Sequence, residues 1–254
     1  MERTFFEWIG YILSVYGEWF LKGTCVTLLI SLLGTVIGFL IGLGLGSVRT
    51  IPVSGNKVKK FFMSIVNAII TCYVEIFRGT PMMVQAIVIY FGMREFVGVD
   101  FSPTIAGIII VSINTGAYMV EVVRGGIESV DPGQMEAAKS IGMTHGQAMR
   151  YVILPQTIRN ILPATGNEFI INIKDTSVLN VISVTELFFV TKSVKGIVFR
   201  TYETFIVTAV IYFVLTLTVT RLLKLIEKRM DGPAEFVHVS STMPIVFTKK
   251  SGEK

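Results

Sequence analysis

Apolar residues gather in long blocks along this chain, separated by short charged stretches. The first block, residues 24–48, holds no charged residue and is long enough for a helix of about 20 residues that spans a bilayer. Within it Gly34, Gly38, Gly42 and Gly46 recur every fourth position, so they share one helix face where a neighbour can approach closely. The second block, residues 61–93, is too long for one simple span, and Glu75, Arg78, Gly79, Thr80 and Pro81 interrupt it. A bent or broken helix is expected at Pro81. A third block covers residues 103–123, with Asn114 central and Glu121 near its end. A fourth begins near Ile161, contains Asn167, Glu168 and Asn172, meets Lys174 and Asp175, and resumes to Val190. The fifth covers residues 204–225. The pattern predicts an all-α membrane protein with five transmembrane helices.

Composition agrees with the pattern. Charged residues are 16% of the 254, against about 25% in ordinary soluble domains, and hydrophobic residues are 52%. A soluble globular enzyme, a disordered chain and a disulfide scaffold are excluded. Cys25 and Cys72 lie in apolar runs without metal-ligand spacing and read as buried small hydrophobes. His145 and His238 are too isolated for a metal site. Residues 1–19 mix Glu2, Arg3, Glu7 and Glu18 with Trp8, Tyr11, Tyr16 and Trp19. That stretch is an amphipathic interfacial helix rather than a cleavable signal peptide. Residues 20–230 then form the transmembrane domain, and residues 231–254, with Gly232, Pro233 and Pro244, a loosely ordered cytoplasmic tail. Docking through the tail's 243–247 cluster is the weaker reading of that segment.

Lys and Arg set the orientation. Twelve of them cluster after the first, third and fifth blocks, among them Arg49, Lys57, Lys59, Lys60, Arg124, Lys139 and Arg150, against six on the other side. The N-terminus is therefore expected outside and the C-terminus in the cytoplasm.

The loop after the third block, about residues 125–158, carries helix punctuation of its own. Asp131-Pro132-Gly133-Gln134 is a helix start, and Gly142 is placed to end that helix in a left-handed conformation. Thr144-His145-Gly146-Gln147 is a second start with capping-box spacing, and Pro155 marks an end or kink beyond it. Two short capped helices thus project from the membrane. Helices this short are marginal alone and need a partner surface.

Glu136-Ala137-Ala138, three residues, Gly142, nine residues, then Val152-Ile153-Leu154-Pro155 resembles the EAA loop of ABC importer permeases, with Val152 where the family usually has Ile. Glu75-Ile76-Phe77-Arg78-Gly79-Thr80-Pro81, Ala117-Tyr118-Met119-Val120-Glu121-Val122-Val123-Arg124-Gly125 and Lys174-Asp175-Thr176-Ser177 resemble the polar amino-acid uptake branch of that family. The resemblance covers about residues 20–228. It implies that the loop helices are cytoplasmic coupling helices and that Glu136, Ala137, Ala138 and Gly142 dock on an ATPase. It further implies two ATPase subunits, a second permease subunit, identical or related, and an external amino-acid-binding protein, in a bacterial cytoplasmic membrane. Substrate would move inward by alternating access. No Gly-x4-Gly-Lys-Ser/Thr loop occurs in the chain, so it is expected to be a non-catalytic subunit that binds no cofactor, with ATP and Mg held by the partner.

Charges within apolar spans are costly and face the bundle interior or water. Glu75 with Arg78, Glu121 with Arg124, and Lys174 with Asp175 are expected as intramembrane ion pairs. Asn114, Glu168 and Asn172 are the candidates for a substrate path, because an amino acid needs hydrogen-bonding groups and an acid for its ammonium. An ATP-independent secondary transporter is the alternative, although no convincing inverted repeat is visible. A membrane enzyme lacks a catalytic constellation, and the loop, tied at both ends to spans and nearly neutral, is no DNA-binding element.

Overall fold

The computed structural model describes residues 3–52 and 56–230. The tail from 231 to 254, including its 243–247 cluster and His238, lies outside the described residues. The described chain is helical: α1 (Phe5–Arg49), α2 (Lys57–Gly79), α3 (Met82–Gly92), α4 (Pro103–Glu128), α5 (Pro132–Ser140), α6 (His145–Ala148), α7 (Leu154–Asp175), α8 (Leu187–Val198) and α9 (Thr201–Met230). The amphipathic N-terminal stretch is continuous with the first span. Together they make one 45-residue helix, about 68 Å long at 1.5 Å per residue.

The bundle is built on α1 and α4. Gly34 meets Val111, Gly38 meets Thr115, Gly42 meets Met119 and Gly46 meets Val123, so the two helices run parallel. A Cβ on any of these four glycines would fall within 3.0 Å of α4. The four-residue glycine repeat is therefore a closely packed seam. α2 returns antiparallel to α4, with Tyr73 Oη donating to the Ile113 carbonyl (2.6 Å) and Ile70 and Val74 packed on Val120. It breaks at Pro81, as the sequence predicts, and α3 continues beyond the break. α9 starts beside the N-terminus of α1, where Phe5 and Tyr202 rings lie 5.8 Å apart. It then runs past α7, where Leu223 packs on Gly166.

Among the described residues, four helices are long and apolar enough to cross a membrane: α1, α2, α4 and α9. This corrects the expectation of five. The fourth expected block is not one apolar helix. α7 begins before it, at Leu154, and gathers Arg159, Asn160, Asn167, Glu168, Asn172, Lys174 and Asp175. A 3-10 helix, Thr176–Ile182, follows, and α8 forms only after Glu186. α7 nevertheless runs antiparallel along α4, from Ile161 against Gly126 to Asn172 against Thr115. Of these polar groups, Asn172 meets partners on α1 and α4, and Asn160 meets Ser129 at the end of α4.

The cysteine expectation is also corrected: Cys25 and Cys72 are free and exposed on the outer faces of α1 and α2. A bilayer-facing surface is itself apolar, so a cysteine in an apolar run need not be in the core.

Candidate functional site

The loop between α4 and α7 is assembled by its own caps. Asp131 Oδ1 accepts from Gly133 N (2.8 Å), and Pro132 occupies the first helical position of α5, where no amide partner is required. α5 ends in a Schellman turn: Met143 N donates to Ala138 O (3.1 Å) and Gly142 N to Lys139 O (2.9 Å). Gly142 sits at φ +86°, in the left-handed region that an L side chain enters only with strain. The Thr144–Gln147 capping box is complete, with Thr144 N to Gln147 Oε1 at 2.9 Å and Gln147 N to Thr144 Oγ1 at 3.3 Å. A π-helical turn, Met149–Ile153, joins α6 to α7. Pro155 falls in the first turn of α7 rather than ending a helix.

Glu136, Ala137 and Gly142 are exposed on this loop, whereas Ala138 is buried and holds α5 against the rest of it. A cavity of about 210 Å³ separates the loop from the bundle, lined by Thr50, Glu128, Asp131, Met135, His145 and Met149. Both ring nitrogens of His145 are buried there without a hydrogen-bond partner among the described residues. Burial, then the nearby Lys139 charge, lowers the His145 pKa below its usual 6.5.

The α1 and α4 ends above the loop are tied by charge. Arg49 pairs with Glu121, Glu121 with Arg124 (3.0 Å), and Arg124 with Glu128 (2.7 Å). The Glu121–Arg124 pair is thus the middle of a four-member ladder. Arg49 entered the sequence reading only as a loop cation, since nothing local indicates a partner 72 residues away. The other two expected pairs are not formed. Glu75 and Arg78 are exposed, and the Arg78 guanidinium lies 5.3 Å from the Tyr118 ring centroid instead. Lys174 and Asp175 are both exposed, with no salt bridge between them. As neighbours in a helix they point about 100° apart.

The three path candidates separate. Asn172 is buried, and its Nδ2 donates to Thr35 Oγ1 and Thr115 Oγ1, both at 2.9 Å. It fastens α7 to α1 and α4 and has no open face for a substrate. Glu168, one turn earlier on α7, has no hydrogen bond or salt bridge to a described residue and is partly exposed. Asn114 is also partly exposed, and its Nδ2 donates to Gln85 Oε1 (2.9 Å) and to Phe77 O (3.3 Å).

Two structural residues escaped the sequence reading. Gln85 is buried where the α2–α3 break leaves carbonyls free. Glu186 is wholly buried and caps α8 through Phe188 N (2.8 Å) and Phe189 N (2.7 Å), with Tyr212 Oη donating at 3.3 Å. An acid directly before an apolar run was a cap signal for Glu186. Gln85 carried no local signal. Among the described residues, no group of three or more His, Cys, Asp or Glu is placed to hold a metal.

This arrangement, a glycine-packed pair of spans carrying a capped loop at one end, has known counterparts. Residues 34–232 match the family of binding-protein-dependent transport system inner membrane components. The chain belongs to that family. It is 37% identical over 214 residues to the glutamine transport system permease protein GlnP of Escherichia coli (strain K12), covering 83% of this chain and 92% of that protein. The putative glutamine transport system permease protein GlnP of Rickettsia typhi (strain ATCC VR-144 / Wilmington) is 33% identical over 227 residues, covering 87% and 98%. Among solved structures, a chain of an amino acid ABC transporter crystallised with histidines superimposes with a TM-score of 0.73 at 40% identity, covering 90% of this chain and all of that one. A chain of the inward-facing MetNI methionine ABC transporter shares the fold, with a TM-score of 0.71 at 19% identity over 84% and 97% of the two chains. This family member is an all-helical, multi-pass permease of an ABC importer. Its relatives give no support to the alternative of an ATP-independent transporter.

Proposed function

We propose that this permease moves a polar amino acid into the cell by alternating access, with L-glutamine as the first candidate. The observation that carries the substrate class is the full-length likeness to glutamine permeases. The work is done by partners: a binding protein delivers the substrate, and two ATPase subunits, holding ATP and Mg, close beneath two permease chains. The second permease completes a pathway that one bundle leaves open on the side of Asn114 and Tyr118.

The α5–α6 loop is the docking element. Glu136, Ala137 and the Gly142 turn present its exposed face, and Ala138 holds α5 in place behind them. The Arg49–Glu121–Arg124–Glu128 ladder ties the ends of α1 and α4 to each other where the chain enters this loop, so a push delivered through the loop meets the two seam helices as one unit. The basic loop end faces the cytoplasm under the positive-inside rule, which puts the N-terminus outside. Asn114 and Glu168 line the substrate path, and Glu168 receives the ammonium or a cationic side chain.

The test is to purify the chain from its native membrane and identify what accompanies it. Recovery of an ATPase subunit, lost on replacing Glu136 and Gly142, supports the docking role. A chain recovered alone, with uptake independent of ATP, defeats the reading. Glu168→Gln should change substrate preference with assembly intact; loss of assembly alone removes Glu168 from the path.

A further inference from the structure

Proline at position 81 has no amide hydrogen, and the break it makes leaves the carbonyls of Phe77 and Thr80 without helical partners. Gln85 fills that gap. Its Nε2 lies 2.9 Å from Phe77 O, Thr80 O and Thr80 Oγ1. Carbonyl oxygens only accept, so this end of the Gln85 amide must be its nitrogen. Its oxygen then faces Asn114, whose nearer atom must in turn be a donor. Asn114 Nδ2 meets both that oxygen and Phe77 O. The two backbone carbonyls thus fix both amides in one sense. Asn114 spends its NH2 group on the α2–α3 break, and its Oδ1 has no partner among the described residues.

We propose that Gln85 is a positioning residue that turns the Asn114 amide, so that this point of the substrate path offers a hydrogen-bond acceptor and never a donor. The proposal rests on Asn114 lining the path, as proposed above. The group received there is itself a hydrogen-bond donor of the amino acid, while the substrate carboxylate is turned away from Asn114. Gln85 is only 6% exposed, so it acts through Asn114 and does not touch the substrate.

The charged groups on the flanking elements are Lys57, Lys59, Lys60, Glu75 and Arg78 on α2 and Glu121, Arg124 and Glu128 on α4; α3 has none. The experiment uses the whole importer in proteoliposomes, measuring uptake of a panel of L-amino acids, L-glutamine included, between pH 6 and pH 8. Asn114→Asp keeps the outward acceptor but sets a second oxygen against Gln85 Oε1 and Phe77 O. That oxygen must carry a proton to donate. Uptake by Asn114→Asp should therefore fall about tenfold more than wild type between pH 6 and pH 8. Adding Gln85→Met removes one of the two opposing acceptors and should restore most of that loss. A variant profile parallel to wild type, or one unchanged by Gln85→Met, overturns the proposal. So does failure of the variants to assemble, which would make the pair a folding element. If the wild-type complex accumulates no amino acid, the importer reading fails first, and this proposal with it.

Discussion

The α1–α4 seam and the α5–α6 loop both depend on glycine, for opposite reasons. Along the seam Gly34, Gly38, Gly42 and Gly46 have ordinary helical backbones and no room, since α4 occupies the place of a Cβ. In the loop Gly142 has open space around it and an unusual backbone at φ +86°. The first use removes volume so that two helices touch; the second removes a steric restriction so that a chain can turn. The seam is finished within one chain. The loop presents an exposed face and has a cavity behind it.

The comparison breaks most readily at the seam. Gly42→Leu should abolish recovery of a monodisperse protein in detergent, because overpacking costs about 1–3 kcal/mol for modest insertions and this one drives into Met119. Gly44→Ala, on the open face of the same helix, should leave thermal stability unchanged or slightly higher. Equal loss in both would mean that the glycines serve flexibility rather than close approach.

Cutting the ladder at the loop end of the seam comes next. Glu121→Gln leaves Arg49 and Arg124 without their shared carboxylate, partly buried at the helix ends. A loss of roughly 1.5–3 kcal/mol is expected from a charged hydrogen-bonded partner. Transport should fall further than ATP hydrolysis if the ladder carries the loop's motion. Parallel losses would assign it to stability alone.

Gly142→Ala should cost about 1–2 kcal/mol of loop stability, the strain of a left-handed residue with a Cβ. Weaker ATPase capture with an unchanged membrane-part melting temperature is the expected signature. The smallest effect is that of pH on His145. Its folded pKa is depressed, so above about 6.5 both folded and unfolded states hold it neutral and the loop keeps its full stability. As pH falls through the lower folded value, the unfolded state takes the proton first and stability is lost. His145→Gln should flatten that acid-side loss in ATPase-binding measurements; an unchanged profile would place the titration elsewhere.

Much of this was legible from local pattern. Caps, the Gly142 turn, the Pro81 break and the glycine repeat each follow from the chemistry of a few neighbouring residues. The count of spans was not legible in the same way. Residues 161–190 read as one interrupted apolar block, but backbone geometry turned it into a polar helix, a 3-10 segment and the capped helix α8. Pairings also escaped. Glu75 and Arg78 have the spacing of an ion pair, yet Tyr118 offers Arg78 a face. Glu121 has a local partner in Arg124 and a distant one in Arg49.

The sequence by itself determined that this chain lives in a membrane, where the Pro81 break falls, and where the caps of the α5–α6 loop lie. These follow from periodicity, composition and caps, all properties of contiguous residues. Only the tertiary structure decided that Asn172 is a fastener while Asn114 stays open, and that Gln85 governs which end of Asn114 faces outward. Those outcomes depend on which polar atoms meet across 29 to 137 residues of chain, and an amide's role is settled by the partners that packing brings to it.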